Sequence, residues 1–271
     1  MKVKCLPAVQ WSLALVMGLV FVGQVRAAEG DLRARLDKRV YRDAKGEELP
    51  YRIFVPRNYD AKQSYPLIVF LHGAGERGND NTSQLAHADV LRFVSDKVQA
   101  QHPCFLIAPQ CPTNRKWVEL PWGGKESQPM PKEPSRPMRL LLDLLDALEK
   151  QYHIDPQQRY VTGMSMGGFG TFDLLMRRPL YWAAAVPVCG GGDDSRAKDI
   201  ASTPLWAFHG SDDNAVPVER SRSMIAALKA AGGTPKYTEY AGMGHGIWEK
   251  AYADPDLVQW LFSQRRPLKS K

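Results

Sequence analysis

The chain has 271 residues, of which 44% are hydrophobic and 24% are charged, and its formal net charge is +7. This ordinary globular composition excludes a wholly disordered chain and a collagen-like repeat. Its basic residues form no block with interleaved aromatic residues, so we do not expect nucleic acid as a partner.

The amino terminus has the pattern of a secretory signal peptide. Two lysines are followed by an uncharged apolar run over residues 11–23 and by a cleavage site that ends at Ala27. The run is short for a bilayer core of about 30 Å, which disfavours the alternative of an uncleaved membrane anchor. We therefore predict a signal peptide over residues 1–27 and export to the periplasm or the medium. The mature chain over residues 28–271 then has no membrane contact and a net charge of +4, because the leader carries three basic residues and no acidic one.

Strand and helix patterns alternate along the mature chain. Residues 35–56 predict two strands joined by a turn at residues 43–46. Further strands are predicted at 66–71, 104–108, 159–163, 183–188, 205–209 and 236–240, and helices at 85–98, 138–152, 167–176, 218–231 and 256–264. This alternation predicts a single α/β domain with a mostly parallel central sheet flanked by helices on both faces. Ligands of such folds bind at the carboxyl ends of the strands.

Residues 112–136 interrupt the alternation. They contain five prolines and two tryptophans, Trp117 and Trp122. A long segment without secondary structure inside a compact domain is often a functional loop. The alternative, a disordered insertion, is disfavoured because disordered segments are poor in aromatic residues.

The mature chain has three cysteines, Cys104, Cys111 and Cys189. An odd number is incompatible with a complete disulfide framework. Cys104 and Cys111 flank a predicted strand, which would hold them too far apart to bond. The spacing of the three does not match a metal site. We therefore expect buried free thiols, with no metal and no cofactor.

The segment Gly163 to Gly167 fits the pattern G-x-S-x-G between a predicted strand and a predicted helix. In this context the pattern is typical of a nucleophile elbow, a tight turn whose glycines let strand and helix approach each other. Ser165 is the predicted nucleophile. The backbone amide of Met166, the next residue, is a predicted donor to an oxyanion.

A serine nucleophile needs a base, and the chain has six histidines. His245 lies in a glycine-rich loop between the last predicted strand and the last predicted helix, which suits an imidazole presented to a site. His72 and His209 each precede a glycine at a strand end and are expected to shape turns. We predict His245 as the base.

The acid that orients the base should follow a strand between the serine and the histidine. Asp212 and Asp213 both follow the strand at 205–209, and physical reasoning from the sequence does not distinguish them. Asp193 and Asp194 follow another strand, where their turn is more simply interpreted as a helix cap. The glycine-rich residues 72–75 are the predicted loop for a second oxyanion amide.

These motifs together resemble the α/β-hydrolase superfamily. Within it, the chain resembles secreted bacterial serine esterases related to polyhydroxybutyrate depolymerases, feruloyl esterases and the predicted-peptidase or carboxylesterase group. The resemblance rests on residues 70–78, 108–112, 163–168, 209–217 and 244–245. It implies Asp213 as the acid, Ala74 as the second oxyanion amide, and Trp117 or Trp122 in a substrate-binding pocket.

We therefore expect an exported serine hydrolase that cleaves small or oligomeric carboxylic esters through an acyl-serine intermediate. Two alternatives use the same sequence features. One is a serine peptidase with the same three side chains. The other is a non-catalytic carbohydrate- or lipid-binding protein that retains the fold.

Overall fold

A computed structural model of the protein describes Met1 and residues 31–267. The predicted signal peptide, apart from Met1, lies outside the described residues. Within the part of the chain that is described, no helix combines the length and the apolar character needed to cross a membrane.

One sheet of eight strands forms the centre of the described chain. The strands are β1 (Asp37–Arg42), β2 (Glu48–Phe54), β3 (Tyr65–Leu71), β4 (Phe105–Pro109), β5 (Ile154–Met164), β6 (Ala184–Val188), β7 (Trp206–Gly210) and β8 (Lys236–Tyr240). Their order in the sheet is β1-β2-β4-β3-β5-β6-β7-β8. β2 pairs antiparallel with β1 and β4, and all the other neighbours are parallel. The predicted mostly parallel sheet is confirmed.

The helices follow the predicted alternation with one correction. They are α1 (Asp96–Gln101), α2 (Arg136–Gln151), α3 (Met166–Arg177), α4 (Ala197–Ile200), α5 (Glu219–Ala230), α6 (Trp248–Tyr252) and α7 (Leu257–Ser263). The single helix predicted over residues 85–98 is wrong, because a 3₁₀ helix over Ala88–Val94 ends at Ser95. The Ser95 hydroxyl accepts a hydrogen bond from the Val98 amide and so begins α1 as a separate helix.

The hydrophobic core lies on both faces of the sheet. Leu67, Val69 and Leu71 of β3 belong to one buried cluster, which includes the apolar side of α2. The alternate residues Ile68 and Phe70 belong to a second cluster, which includes residues of α7. Because successive side chains of a strand point to opposite faces, this division confirms helices on both faces of the sheet.

The turn between β5 and α3 lies in the middle of the sheet. Ser165 has φ 55° and ψ −119°, a left-handed backbone conformation that is strained for a residue with a side chain. A Cβ atom on Gly163 would collide with the carbonyl of Gly167, and one on Gly167 would collide with the carbonyl of Leu71. The two glycines therefore permit a turn that brings the start of α3 against the end of β3 and places Ser165 at the carboxyl edge of the sheet.

Candidate active site

Three side chains from separate loops meet at the carboxyl edge of the sheet. Ser165 follows β5, Asp213 follows β7, and His245 follows β8. Nε2 of His245 lies 2.8 Å from the Oγ atom of Ser165, and Nδ1 of His245 lies 2.7 Å from Oδ2 of Asp213. An imidazole held between a hydroxyl and a carboxylate in this way has the geometry to accept the hydroxyl proton.

Asp213 is buried, with 7% of its surface exposed. Its Oδ1 atom accepts hydrogen bonds from the amides of Ala215 at 2.9 Å and Val216 at 2.8 Å. Burial alone would raise the pKa of the carboxyl group. Hydrogen bonds from His209, His245 and the Val216 amide outweigh burial and hold this pKa well below its usual range. The carboxylate is therefore charged at neutral pH.

The adjacent Asp212 has a different environment. Its side chain is exposed and accepts a hydrogen bond from the Ser211 hydroxyl at 2.6 Å. Asp193 caps a short 3₁₀ helix by accepting from the Ser195 amide, as the sequence predicted. Of these aspartates, Asp213 is the one that contacts His245.

Backbone contacts pin the loop of His245 to the loop of Asp213. The Asp212 amide donates to the Met243 carbonyl at 2.9 Å. A Cβ atom on Gly210 would collide with the carbonyls of Met243 and Gly244. Glycine at the end of β7 therefore lets the two loops touch, and this contact fixes where the imidazole of His245 stands relative to the carboxylate.

The two predicted oxyanion donors lie beside Ser165. Met166 is the first residue of α3, and Ala74 begins a short 3₁₀ helix that lines the same cavity as Ser165. Within the described residues neither amide donates a hydrogen bond. First-turn amides of a helix have no intrahelical acceptor, so both remain available to an oxygen bound next to Ser165.

His72 holds the loop of Ala74 from beneath. Its ring is fully buried, Nδ1 donates to the Gly73 carbonyl at 2.6 Å, and Nε2 accepts from the Cys111 amide at 2.9 Å. This pattern corresponds to a neutral imidazole. Burial lowers the pKa of His72 to about 4, against the smaller opposing effect of the hydrogen bond to Gly73.

The two tryptophans of the loop at 112–136 have different positions. Trp117 is fully buried, and its Nε1 donates to the His72 carbonyl at 3.1 Å. It therefore packs beneath the loop of Ala74 and does not line the cavity. Trp122 does line the cavity next to Ser165. The resemblance left both as candidates for a pocket residue, and the indole hydrogen bond of Trp117 explains why it lies in the core.

The loop at 112–136 is anchored to the rest of the fold. The Ser127 hydroxyl donates to the Gly192 carbonyl at 3.0 Å, and the Met130 amide donates to the Asp193 carboxylate at 2.9 Å. These contacts favour the interpretation as an ordered loop over a disordered insertion. The loop thereby supplies one wall of the cavity through Trp122.

The cavity beside Ser165 has a volume of about 360 Å³. Trp122, Ala215 and Val216 line one part of it, and Glu76, His87 and Trp248 line another. Sequence reasoning did not identify the second group. His87 connects it, because its Nε2 atom lies 3.3 Å from the Glu76 carboxylate and its Nδ1 atom accepts from the Trp248 indole at 3.2 Å.

Glu76, His87 and Trp248 lie in short helical turns and their flanking residues, which have no periodic sequence signal. His87 falls within residues 85–98, where the sequence predicts a helix, and a histidine on a helix is more simply interpreted as a surface residue. The one available signal was the position of Glu76, two residues after Ala74 in the predicted oxyanion loop.

Cys189, His209 and Asp213 have potential metal-ligand atoms within 4.8 Å of one another. Each of these atoms already has a hydrogen-bond partner. Both nitrogens of His209 and both oxygens of Asp213 are engaged, and the Cys189 thiol donates to the His245 carbonyl at 3.3 Å. A metal ion would have to break contacts that hold His245, so the donor set fits a hydrogen-bonded network better than a metal site.

Cys104, Cys111 and Cys189 are buried free thiols, as the sequence predicted. Burial raises the pKa of the Cys104 and Cys111 thiols to about 12 and also raises that of Cys189. Because the thiolate is the reactive form, none of the three is a nucleophile at neutral pH.

A doubly wound sheet that presents a serine on a strained strand-to-helix turn, with histidine and aspartate on later loops, defines an α/β-hydrolase. Residues 43–213 match the family model described as "Putative esterase", and the chain belongs to this esterase family. Family and fold together identify the protein as a carboxylic-ester hydrolase.

Individual relatives agree with this assignment. A solved structure titled "Crystal Structure of a Thermostable Esterase" is 40% identical, with a TM-score of 0.81 over 87% of this chain, and this chain covers 64% of its length. The protein "Probable carboxylesterase SOBER1-like" of Arabidopsis thaliana is 25% identical over 70% of this chain and 76% of its own length. A solved ferulic acid esterase is 20% identical, with a TM-score of 0.62 over 84% of this chain and 98% of its own, and shows the shared fold.

The buried neutral His72 predicts a pH-dependent stability. Its pKa is about 4 in the folded chain and about 6.5 in an unfolded one, so below pH 6.5 the unfolded chain binds the proton more tightly. The stabilisation is therefore complete above pH 6.5 and is lost as the pH falls toward 4. We expect the fall in the free energy of unfolding between pH 7 and pH 4.5 to be about 2–3 kcal/mol smaller in His72→Gln than in the wild type. Urea unfolding at both pH values measures this, and an equal loss in the two proteins would contradict it.

Proposed function

We propose that the protein hydrolyses esters through an acyl-serine intermediate formed on Ser165. Its Oγ atom attacks the carbonyl carbon while Nε2 of His245 takes the hydroxyl proton. His245 gives this proton to the leaving alcohol, which departs and leaves Ser165 acylated. His245 then takes a proton from water while the water oxygen attacks the acyl carbon, and it returns this proton to the Oγ atom of Ser165 as the acid is released. The observation that carries this proposal is the continuous contact from Asp213 through His245 to Ser165, at 2.7 and 2.8 Å.

The surroundings of these residues support the charge changes that the reaction requires. The amides of Ala74 and Met166 have no acceptor among residues 31–267 and donate to the oxyanion of the tetrahedral intermediate. The charged Asp213 carboxylate holds His245 in the tautomer that has its proton on Nδ1, and it stabilises the imidazolium that forms during attack.

The substrate class that we propose is a small or oligomeric carboxylic ester. A cavity of about 360 Å³ accommodates only part of a large substrate, so a longer alcohol or acyl chain extends toward solvent. Trp122, Ala215 and Val216 offer an apolar surface to one part of the ester. The Glu76 carboxylate and His87 offer polar contacts to another part and disfavour a negatively charged group there.

We also propose that the protein acts outside the cytoplasm, because of the basic start and the apolar run at residues 11–23. Amino-terminal analysis of the protein recovered from its native host tests this. A chain that starts at residue 28 supports export, and a chain that retains residues 1–27 contradicts cleavage.

Removal of the proposed nucleophile should abolish turnover. We expect Ser165→Ala to lower kcat by about 10⁶-fold, because the other two residues have no hydroxyl to activate. The measurement is hydrolysis of p-nitrophenyl esters of increasing acyl length and of methyl ferulate, with an aminoacyl p-nitroanilide in parallel. We expect the esters to be cleaved far faster than the anilide.

Ser202→Ala is the matched control, since Ser202 is exposed and precedes β7, at the opposite edge of the sheet from Ser165. It should retain most of the activity. Near-normal turnover by Ser165→Ala would overturn the proposed mechanism. Cleavage of the anilide alone would instead support the peptidase alternative.

The two adjacent aspartates provide a second matched pair. We expect Asp213→Asn to lower kcat by about 10⁴-fold, because an amide stabilises the wrong tautomer of His245 and leaves its imidazolium without a charged partner. Asp212→Asn should change kcat by less than about twofold, as expected of an exposed residue. Steady-state kinetics on one p-nitrophenyl ester compares them, and a larger loss in Asp212→Asn would show that the acid has been assigned to the wrong residue.

A further inference from the structure

We propose that His209 is a positioning residue of the active site, which orients the Asp213 carboxylate and limits the negative charge on the oxygen that faces His245. The inference rests on the proposed function of Ser165, Asp213 and His245. The sequence predicted only that His209 shapes a turn.

Both ring nitrogens of His209 are engaged in the interior. The side chain is fully buried. Its Nε2 atom lies 2.9 Å from the Val216 carbonyl and 3.2 Å from Oδ2 of Asp213. The Val216 carbonyl is an acceptor, so Nε2 carries a proton and donates to it, and the same N–H group lies next to Oδ2 of Asp213. A single N–H group of His209 therefore lies between the Asp213 carboxylate and the Val216 carbonyl of the same turn.

The opposite side of the ring is anchored to a different part of the fold. Nδ1 of His209 lies 2.7 Å from the Oγ atom of Ser221, and this Oγ atom lies 2.8 Å from the Gly190 carbonyl oxygen. A Cβ atom on Gly190 would lie within 2.7 Å of the backbone of Gly168, near the start of α3. The ring is therefore held by residues that pack against the start of α3, the helix that follows Ser165. Packing, and not solvent, sets the direction of its N–H group toward Asp213.

The contact bears on the chemistry because both histidines share one oxygen. Oδ2 of Asp213 faces Nδ1 of His245 at 2.7 Å and Nε2 of His209 at 3.2 Å. A donor to a carboxylate oxygen reduces the charge that this oxygen offers to a second partner. His209 therefore weakens the stabilisation that Asp213 gives to a protonated His245.

The other titratable groups that face this arrangement do not replace His209. The Cys189 thiol lies near Asp213, but burial and the Asp213 charge raise its pKa, so it stays neutral. Glu239 interacts with His209 at longer range, and its carboxylate is paired with Arg222 at 2.5 Å. The Cys189 thiol donates to the His245 carbonyl at 3.3 Å, and the ionised Glu239 carboxylate has no proton to donate.

Two amide substitutions separate the two sides of the ring. His209→Gln carries an amide N–H near the position of Nε2 and retains the donor to Asp213. His209→Asn carries its amide near the position of Nδ1 and retains only the contact with Ser221. We expect kcat of His209→Gln to stay within about fivefold of the wild type and that of His209→Asn to fall about 10²-fold with little change in KM, the scale of a misplaced reacting group.

The pH profile gives a readout that a purely structural role would not move. We expect the acidic limb of the kcat/KM profile to shift to higher pH in His209→Asn, because the unshared carboxylate favours the protonated form of His245. The limb should stay in place in His209→Gln. Profiles are normalised by titration of active Ser165 with a fluorophosphonate. Equal kcat values and equal limbs in the two variants would overturn the proposal.

Two further measurements keep the test decisive. If wild-type activity does not depend on Ser165, the proposed function itself fails, which is distinct from a failure confined to His209. If His209→Asn does not fold, histidine-labelled NMR of the wild type replaces it. A proton on Nε2 of His209 throughout the active pH range is the expected result, and an Nε2 atom without a proton would overturn the proposal.

Discussion

The close approach of the β5–α3 turn to the end of β3 is the constraint on which the site depends. Side chains at residues 163 and 167 would collide with backbone carbonyls, so only glycine permits this turn. The turn strains Ser165 into a left-handed conformation and holds its side chain clear of the strand below it. It also brings the amide of Met166 next to the loop of Ala74. The proposed nucleophile and the proposed oxyanion donors are therefore fixed by the same backbone contact.

A buried charge organises the other half of the site. The Asp213 carboxylate accepts hydrogen bonds from two amides of its own turn and lies within hydrogen-bonding distance of two histidines. A carboxylate in the interior is stable only with such partners. The loops after β7 and β8 are held together by backbone hydrogen bonds, so the partners of Asp213 also determine where His245 stands. The contacts that stabilise the buried charge of Asp213 are thus also the contacts that position His245, the proposed base.

Much of this arrangement was predictable from local sequence signals. The glycines around Ser165, the glycine-rich loop of His245 and the alternation of strands and helices each have a short-range physical cause, and the sheet follows from them. The choice between Asp212 and Asp213 did not follow from a local sequence signal. It depends on which carboxylate the turn buries, and the sequence supplied it only through a family resemblance.

The parts that sequence reasoning missed are contacts between distant segments. His87 reaches the site because Trp248, more than a hundred residues away, donates to its ring. Trp117 and Trp122 are both tryptophans of the same loop, and the sequence does not distinguish them. An indole hydrogen bond to the His72 carbonyl holds Trp117 in the core, whereas Trp122 lies in the cavity wall. His209 looked like a turn residue because its partners lie in other elements: Asp213 is in the loop after β7, and Ser221 is in α5.

The most direct test of the proposed acyl-serine mechanism is covalent trapping of Ser165. The protein is treated with a fluorophosphonate at neutral pH, and its intact mass and peptide map are recorded. We expect one adduct per chain, on Ser165, and slower labelling at acidic pH, because a protonated imidazole cannot accept the hydroxyl proton. An unmodified chain, or an adduct on another residue while Ser165 remains free, would contradict it.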